Sequence, residues 1–577
     1  MSSNQEPLVI GNWQNGIGDS PYAGLGIIRN ADINSFPGAV RVSKKPSSLF
    51  KSITQQTFTA DAGTDICTTP DNVEVNQNNF GGTAVYFTTT GTLPAGLSPN
   101  VTYFLIKVSN NTFKVATSYK NSVGSAAGTA INITDTGSGV HTIKQVPIGT
   151  INWIIEDPRT FTQYLLGSNG RVWFSQLNSG TAYLLNNSAI DTPASGVANA
   201  SGQGIVITPF TSTSQTWLFV FRNATVDVID VFGNTTIEAL GWTNGWQSLN
   251  TGAGSSNSHH AIKGQDDALY FCDDRYVGSI IENVASVFDP SNAATYTFNN
   301  QALDLPVYEV TSCLEEFDLN LLVGNSSKKI YPWDRSSVSY DRPIIVTEKA
   351  VSKMKVIGDT IYILAGTKGN IYTSQGVYAG LFRQLPIYII NEDYDYSSSP
   401  VTWGGIGESA GSLIFGVGAT TTSASGLYRL YPSGVLIHEK TPSAGAKNVI
   451  GLLAKDDFYT MGYNGGADAF TSSPYTYSAD GYPTLVQSGF ITVGSKTKKA
   501  KYSELELKLG RTVSDAHVKI SYRTDTNSNF TELYTFVLAS ETAKAFTQDI
   551  GLTDLEDIQI QAELVGDAEL FQIVLHP

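Results

Sequence analysis

Between Tyr164 and Phe470 one short phrase recurs: an apolar run, a turn rich in Gly or Asn, then a β-branched or long aliphatic residue beside an aromatic. It reads YLLGSNGRVWF at 164–174, LLVGNSSKKIYPW at 321–333 and ILAGTKGNIYTS at 363–374. Looser copies are FVFRNATVDVID at 219–230, YFCDDRYVGSI at 270–280, FGVGATTTSASGLYRLY at 415–431 and FYTMGYNGGADAF at 458–470. Each predicts a β-hairpin, because Gly and Asn supply the positive φ of tight turns between two short strands. Copies start roughly 40–55 residues apart, the spacing of blade-repeat arrays. The pattern therefore predicts a β-propeller over 148–484, with blades starting near Ile151, Gly204, Ala261, Val307, Val351, Val401 and Val449. That makes about seven blades, six or eight being alternatives where loops such as 284–306 blur the boundaries.

The flanks have other textures. Residues 1–55 form an extended opening segment with a strand candidate at 39–42, of the kind that can close the last blade of a ring. Residues 56–147 read as six or so short alternating strands, with Asn110-Asn111 turning a hairpin, and predict a small inserted β-sandwich or barrel. Residues 485–577 predict an antiparallel β-sandwich. There Ser503, Leu505, Leu507 and Leu509 form a period-two stripe, and further strands lie at 517–525, 532–539, 557–565 and 569–577.

Composition agrees with an all-β chain of several modules. The 577 residues are 41% hydrophobic and 15% charged, and Gly, Ser, Thr, Asn and the β-branched and aromatic types dominate. Trp153, Trp173, Trp217, Trp242, Trp246, Trp333 and Trp403 fall inside the repeat region, where blade-to-blade packing is the expected role. The net charge of −15 speaks against sequence-independent nucleic-acid binding, which rests on Lys and Arg at phosphates. The one tight basic run, Lys496, Lys498, Lys499 and Lys501, reads as a solvated strand end. Cys67, Cys272 and Cys313 are scattered and without a CxxC pair, so neither a zinc knuckle nor a disulfide framework is indicated. The first residues lack the basic start and apolar core of a secretory signal, and no run approaches a membrane span. Synthesis in a cytoplasm is the expectation.

Candidate chemistry is thin. His259 and His260 stand near Asp266, Asp267, Asp273 and Asp274, but adjacent histidines on a strand face opposite ways and do not readily share an ion. Acidic groups recur at Glu315, Glu316 and Asp318, and at Glu392, Asp393 and Asp395. Propeller glycosidases use paired carboxylates about 5–10 Å apart. The repeated Asp-box of sialidases is absent, however, and SYDRPI at 339–344 is only a faint echo of it. Ser409 in GESAG and Ser423 and Ser425 in SASG sit in small-residue turns, not a GxSxG elbow. GVGATTTSASG at 416–426 lacks the Lys and helix of a phosphate cradle. Tyr394, Tyr396, Tyr475 and Tyr477 are loop aromatics that a sugar-stacking platform would use. No catalytic, cofactor-binding or metal-binding residue is assigned, no cofactor is expected, and a non-enzymatic protein is the prediction.

The opening SPYAGLGIIRNADINSFPGAVRVSKKP, ahead of blades and a terminal sandwich, resembles structural proteins of tailed-bacteriophage virions. The stretch GTLPAGLSPNVTYFLIKVSNNTFKVATS…INITDTGSGVHTI resembles a small β-domain inserted in many phage tail proteins. Leu93, Pro94, Gly96, Leu97, Tyr103, Phe113, Lys114, Asp135, Gly137, Gly139 and His141 carry that likeness. The resemblance implies a hub- or nozzle-type tail component of a short-tailed phage: a homo-oligomeric ring, hexameric in such proteins, around the DNA path. It implies docking to neighbouring tail, adaptor or fibre proteins, and passage of DNA without sequence-specific contact. The alternative is a receptor-binding or glycan-degrading tail protein. The matched positions are turn glycines and core residues, so no catalytic residue is carried over.

Overall fold

The computed structural model describes residues 5–11, 13, 25–33, 38–73, 82–122, 129–176, 180–185, 191–197, 202–208, 210, 215–231, 242–250, 259–283, 287–341, 343–346, 350–367, 369–375, 383–386, 400–418, 425–455, 458–474, 483–510, 516–525, 528–538 and 545–577. The protein is all-β. Among these residues helix is confined to one turn at Tyr119–Ser122 and 3-10 geometry at Trp13 and Ala293–Thr295. Glu392, Asp393, Tyr394, Asp395, Tyr396, Tyr475, Tyr477 and Ser423 lie outside the described residues.

Seven four-stranded antiparallel blades make a propeller; six are separate sheets, and the sixth in order continues from Leu436–Lys440 through a parallel pairing with Leu25–Arg29 into the sandwich. Every copy of the recurring phrase is the second and third strand of a blade, as in Gln163–Gly167 with Val172–Ser175, or Asn320–Asn325 with Lys329–Trp333. These middle strands are covered on both faces by adjacent blades, so they are continuously apolar, which is why they dominate the sequence pattern. The first strands are Ile151–Glu156, Gly204–Thr208, Ala261–Lys263, Thr311–Phe317, Val351–Ile357, Thr402–Ser409 and Gly451–Lys455. Each lies against the first strand of the next blade, and Gly451–Lys455 lies against Ile151–Glu156, so the ring is complete. Packing is tight where a chain enters the next blade: a Cβ on Gly404 would stand 1.9 Å from the Val449 carbonyl oxygen. The fourth blade begins at Thr311 rather than near Val307 because Pro306–Glu309 is a turn with Tyr308 at φ +74.

The last blade takes its outer strand from the other end of the chain. Lys44–Ser48 pairs with Gly466–Pro474, placing Ser48 opposite Asp468 and Pro46 opposite Phe470. Pro46 is tolerated there because an outermost strand donates on one side only.

The remainder of the opening segment belongs to the terminal sandwich. One sheet orders Ala31–Asp32, Val40–Val42, Glu569–His576, Ala500–Leu509 and Ala545–Leu555, with Leu8–Ile10 on the side of Glu569–His576. The other orders Leu25–Arg29, Thr484–Ser488, Asp557–Val565, Ala516–Arg523 and Thr531–Leu538. Leu505, Leu507, Val518, Ile520, Leu564 and Ile573 fill the space between them. Each contributes about 2 kcal/mol by leaving water. Ser503 is exposed and leaves the predicted stripe, because the ladder shifts register between Tyr502 and Glu504 and turns Tyr502 inward instead.

Asn30 joins the modules. Its amide nitrogen donates to His438 O at 3.0 Å on the outer strand of the sixth blade, and its Oδ1 accepts from Thr441 N at 2.9 Å. Its carbonyl accepts from Ser43 N, ahead of the ring-closing strand, and from Thr484 Oγ1 in the sandwich. Beside it, buried Lys440 donates to Ser43 Oγ at 2.7 Å and Lys44 O at 3.2 Å. One segment thus closes the ring and anchors the sandwich to it.

The insert at 56–145 is a closed six-stranded barrel. It seats on the first blade through Tyr119, whose ring lies 4.6 Å from Tyr183 and 5.2 Å from Phe174, while neighbouring Phe50 meets Trp173 edge-on at 5.1 Å.

Candidate functional site

The inner strands of the third to seventh blades surround a cavity of about 480 Å³ that opens at the end of the propeller bearing the turns between first and second strands. His260, Glu315, Lys355, Glu408, Ser409 and Lys455 line it with the backbone of Gly407 and Ala410. Alternation along Thr311–Phe317 sends Glu315 inward, where its Oε1 accepts from Lys355 Nζ at 2.8 Å and from Val356 N at 3.3 Å. Burial pushes the Glu315 carboxyl above its ordinary range, and Lys355 opposes that shift. At the rim, Lys455 pairs with Glu156 Oε1 at 3.1 Å and lies over the Phe161 ring.

Deeper, side chains from three blades meet across the axis. Trp153 of the first blade stacks on His260 ahead of the third, with centroids 5.0 Å apart and planes 29° apart. Lys353 of the fifth blade places Nζ 4.1 Å from the Trp153 ring centre. The Leu314 amide donates to His260 Nδ1 at 2.8 Å, so the imidazole proton sits on Nε2. Burial and the cations of Lys353 and Lys355 hold His260 well below its usual range, and burial lowers Lys353 likewise. Trp153 thus serves as a bridge across the axis rather than blade-to-blade packing alone.

The structure brings the candidates together only in pairs: His259 Nδ1 lies 3.9 Å from Asp273 Oδ1, and Asp266 and Glu316 share Arg335 at 3.7 and 2.5 Å. His259 points away from His260: its Nδ1 donates to Cys272 O at 2.7 Å and its Nε2 faces Asn223 O. Asp273 is fully buried, accepts from Asn250 N and Nδ2 at 2.9 and 2.8 Å, and is pushed up to about 7 by burial. Asp266 accepts from Tyr270 OH at 2.6 Å, Asp267 pairs with Lys263 at 2.6 Å in an exposed turn, and Asp274 occupies a hairpin turn at φ +58. Glu316 holds Arg335 at 2.5 Å and caps Gln265 N, facing away from Glu315, and Asp318 lies in the turn that follows at φ +54. Ser409 Oγ accepts from Arg429 Nη2 at 3.3 Å within a buried cluster of Arg429, Glu439 and Tyr459. Among the described residues no group of three or more His, Cys, Asp or Glu is placed to hold a metal ion. Cys67, Cys272 and Cys313 are free and buried, with their thiols pushed up by burial.

The insert-domain residues act as determinants of the barrel. Asp135 Oδ1 accepts from Ala95 N at 2.8 Å and Gly137 N at 2.9 Å, and Tyr103 OH accepts from Ser98 N at 2.8 Å. His141 bridges Thr89 Oγ1 and Thr136 O at 2.9 and 3.0 Å. A Cβ on Gly137 would meet Thr92 O at 2.4 Å. Leu93, Leu97, Tyr103 and Phe113 are core.

Sequence reading missed the axial group. Trp153, His260 and Lys353 belong to blades far apart in the chain, and no local spacing links them.

No family model and no curated protein matches the sequence. Among solved structures, the chain is similar to YCF48 bound to D1 peptide, at 10% identity and TM-score 0.39 over 56% of this chain and 93% of that one. The β-propeller domain of Myceliophteria thermophila Cps50 (Swd1) gives 10% and 0.38 over 56% and 97%. The WD40 propeller domain of Doa1 gives 7% and 0.37 over 56% and 94%.

Proposed function

We propose that the protein is a structural subunit of a bacteriophage tail, of the hub or nozzle type, without catalytic activity. In this reading copies assemble as a closed ring, the DNA path is the opening between subunits, and neighbouring tail proteins dock on the exposed faces. The resemblance of the opening segment and insert domain to virion proteins motivates it. The observation that carries it is the engagement of the polar candidates in holding the fold: His259 by backbone carbonyls, Asp273 by Asn250, Glu316 by Arg335 and Ser409 by Arg429. The bridge of Trp153, His260 and Lys353 across the subunit axis supports a path outside the single propeller. An acidic chain suits a wall along DNA better than a grip on it.

Sedimentation of the full chain, paired with a reducing-sugar assay on host surface glycan, tests the reading. Association into one closed species, with no glycan released, is the expected result. A monomer that cleaves glycan, and stops cleaving in Asp266→Asn or Asp273→Asn variants that still fold, overturns it in favour of the glycan-degrading alternative.

A further inference from the structure

Among the described residues the sandwich ends on one flank with an uncovered strand in each sheet. Ala545–Leu555 pairs only with Ala500–Leu509, and Thr531–Leu538 only with Ala516–Arg523, among the described residues. The two strands lie over one another: Phe536 and Phe546, one from each, have ring centroids 6.4 Å apart. Leu533, Phe546 and Ile550 reach the core from this side yet remain only partly buried. Tyr534 and Val537 are 40% and 72% exposed, and a Cβ on Gly551 would meet nothing within 4 Å.

An eleven-residue edge strand offers a row of unpaired backbone donors and acceptors. Proteins ordinarily blunt such an edge with lysine, proline or brevity. Ala545–Leu555 has neither lysine nor proline. The charges on the two flank strands are Glu532, Asp549 and Asp554, without a single cation. The nearest described cations stand one strand in: Lys519 is held by Glu563, Arg523 by Gln559, Lys508 lies opposite Ala545, and Lys501, beside the Ala500–Leu555 pair, stands at the Asp554 end.

We propose that this flank receives an extended strand of another protein, one that alternates apolar residues with Lys or Arg and adds to the edge Ala545–Leu555. Main-chain pairing supplies the affinity, while Leu533, Phe546 and Ile550 take the alternate apolar side chains. Asp549 and Glu532, away from the basic end at Lys501, select for cations. The same charges disfavour a second copy of this edge, because antiparallel self-pairing sets acids among acids. The proposal stands on the sandwich alone and does not depend on the reading of the protein as a tail subunit.

Titration of the full chain with a capped synthetic peptide alternating lysine and valine, read by hydrogen exchange, tests it. The control is a peptide of equal composition with its lysines and valines in two blocks. The alternating peptide is expected to slow exchange across 545–555 by about tenfold or more, the block peptide far less. The exposed charge reversals Glu532→Lys and Asp549→Lys, made together, are expected to abolish the protection while leaving the thermal midpoint unchanged. Equal protection by both peptides, protection only elsewhere in the chain, or protection that survives the charge reversals overturns the proposal. Protein-concentration-dependent protection of 545–555 without peptide overturns it in favour of a second copy.

Discussion

The propeller and the sandwich treat their strand edges in opposite ways. The propeller recruits Lys44–Ser48 from the far end of the chain to complete its seventh blade, and each blade covers its neighbour. The sandwich, fed by the same opening segment, is left among the described residues with Thr531–Leu538 and Ala545–Leu555 uncovered on one flank. The difference separates two uses of β-structure. A closed ring of apolar middle strands leaves few edges, whereas the described flank with half-buried Leu533, Phe546 and Ile550 is the place proposed for contact with an added strand.

The largest effect tests whether one segment serves both modules. Deleting residues 1–48 removes the ring-closing strand and also Leu8–Ile10, Leu25–Arg29, Ala31–Asp32 and Val40–Val42 from the sandwich. Loss of cooperative unfolding in both modules is expected, seen as amide exchange that rises throughout 451–474 and 500–577. Native protection persisting in either module would divide the two.

A smaller break targets packing alone. Leu507→Ala, in the fully buried sandwich core, is expected to cost about 3 kcal/mol in denaturant unfolding, whereas Val537→Ala on the open flank is expected to cost under about 0.5 kcal/mol. Equal costs would mean the flank is covered in solution.

Two buried groups then distinguish the interior of the ring from its seam with the sandwich by pH. Asp273 is raised from 3.8 to about 7, so the folded chain keeps a proton that the unfolded chain releases. Its contribution is full below about pH 3.8 and disappears as pH rises through 7. His438, on the blade-six seam, is lowered from 6.5 to about 3 by burial and then by Arg29, so its contribution is present above 6.5 and is lost as pH falls toward 3. The two slopes oppose each other between pH 4 and 6.5. Asp273→Asn is expected to raise stability at pH 8 by about 2 kcal/mol and to steepen the loss on acidification. His438→Gln is expected to flatten that acid limb. Denaturation midpoints at pH 4, 6 and 8 read both, and a Asp273→Asn variant no more stable than the parent at pH 8 contradicts the assignment. The smallest effect is at the clasp: Lys440→Met, which removes the bonds to Ser43 and Lys44, is expected to cost about 1–2 kcal/mol.

The all-β class, the blades and the sandwich were legible because their signals are local. Middle strands such as Asn320–Asn325 are apolar throughout, and the turns between them carry Gly or Asn. What local signals cannot carry is partnership at a distance. Nothing near Lys44–Ser48 points to Gly466–Pro474, and a parallel contact such as Arg29 with His438 leaves no periodicity. The strand Ala545–Leu555 escaped notice because its inward face of Phe546, Gln548, Ile550 and Leu552 is diluted by Gln548, and because its register slips before Leu555. For the candidate site, the sequence correctly set His259 and His260 on opposite faces, since alternation along extended chain is a local rule. It could not place Trp153, His260 and Lys353 together, because only closure of the ring does so.

The proposed role of these modules is as a wall subunit of a larger ring. Negative-stain images of the purified full chain at rising concentration test it most directly. Closed rings of uniform copy number are predicted. Isolated propeller-sized particles at every concentration, from a preparation that degrades host glycan, would contradict it.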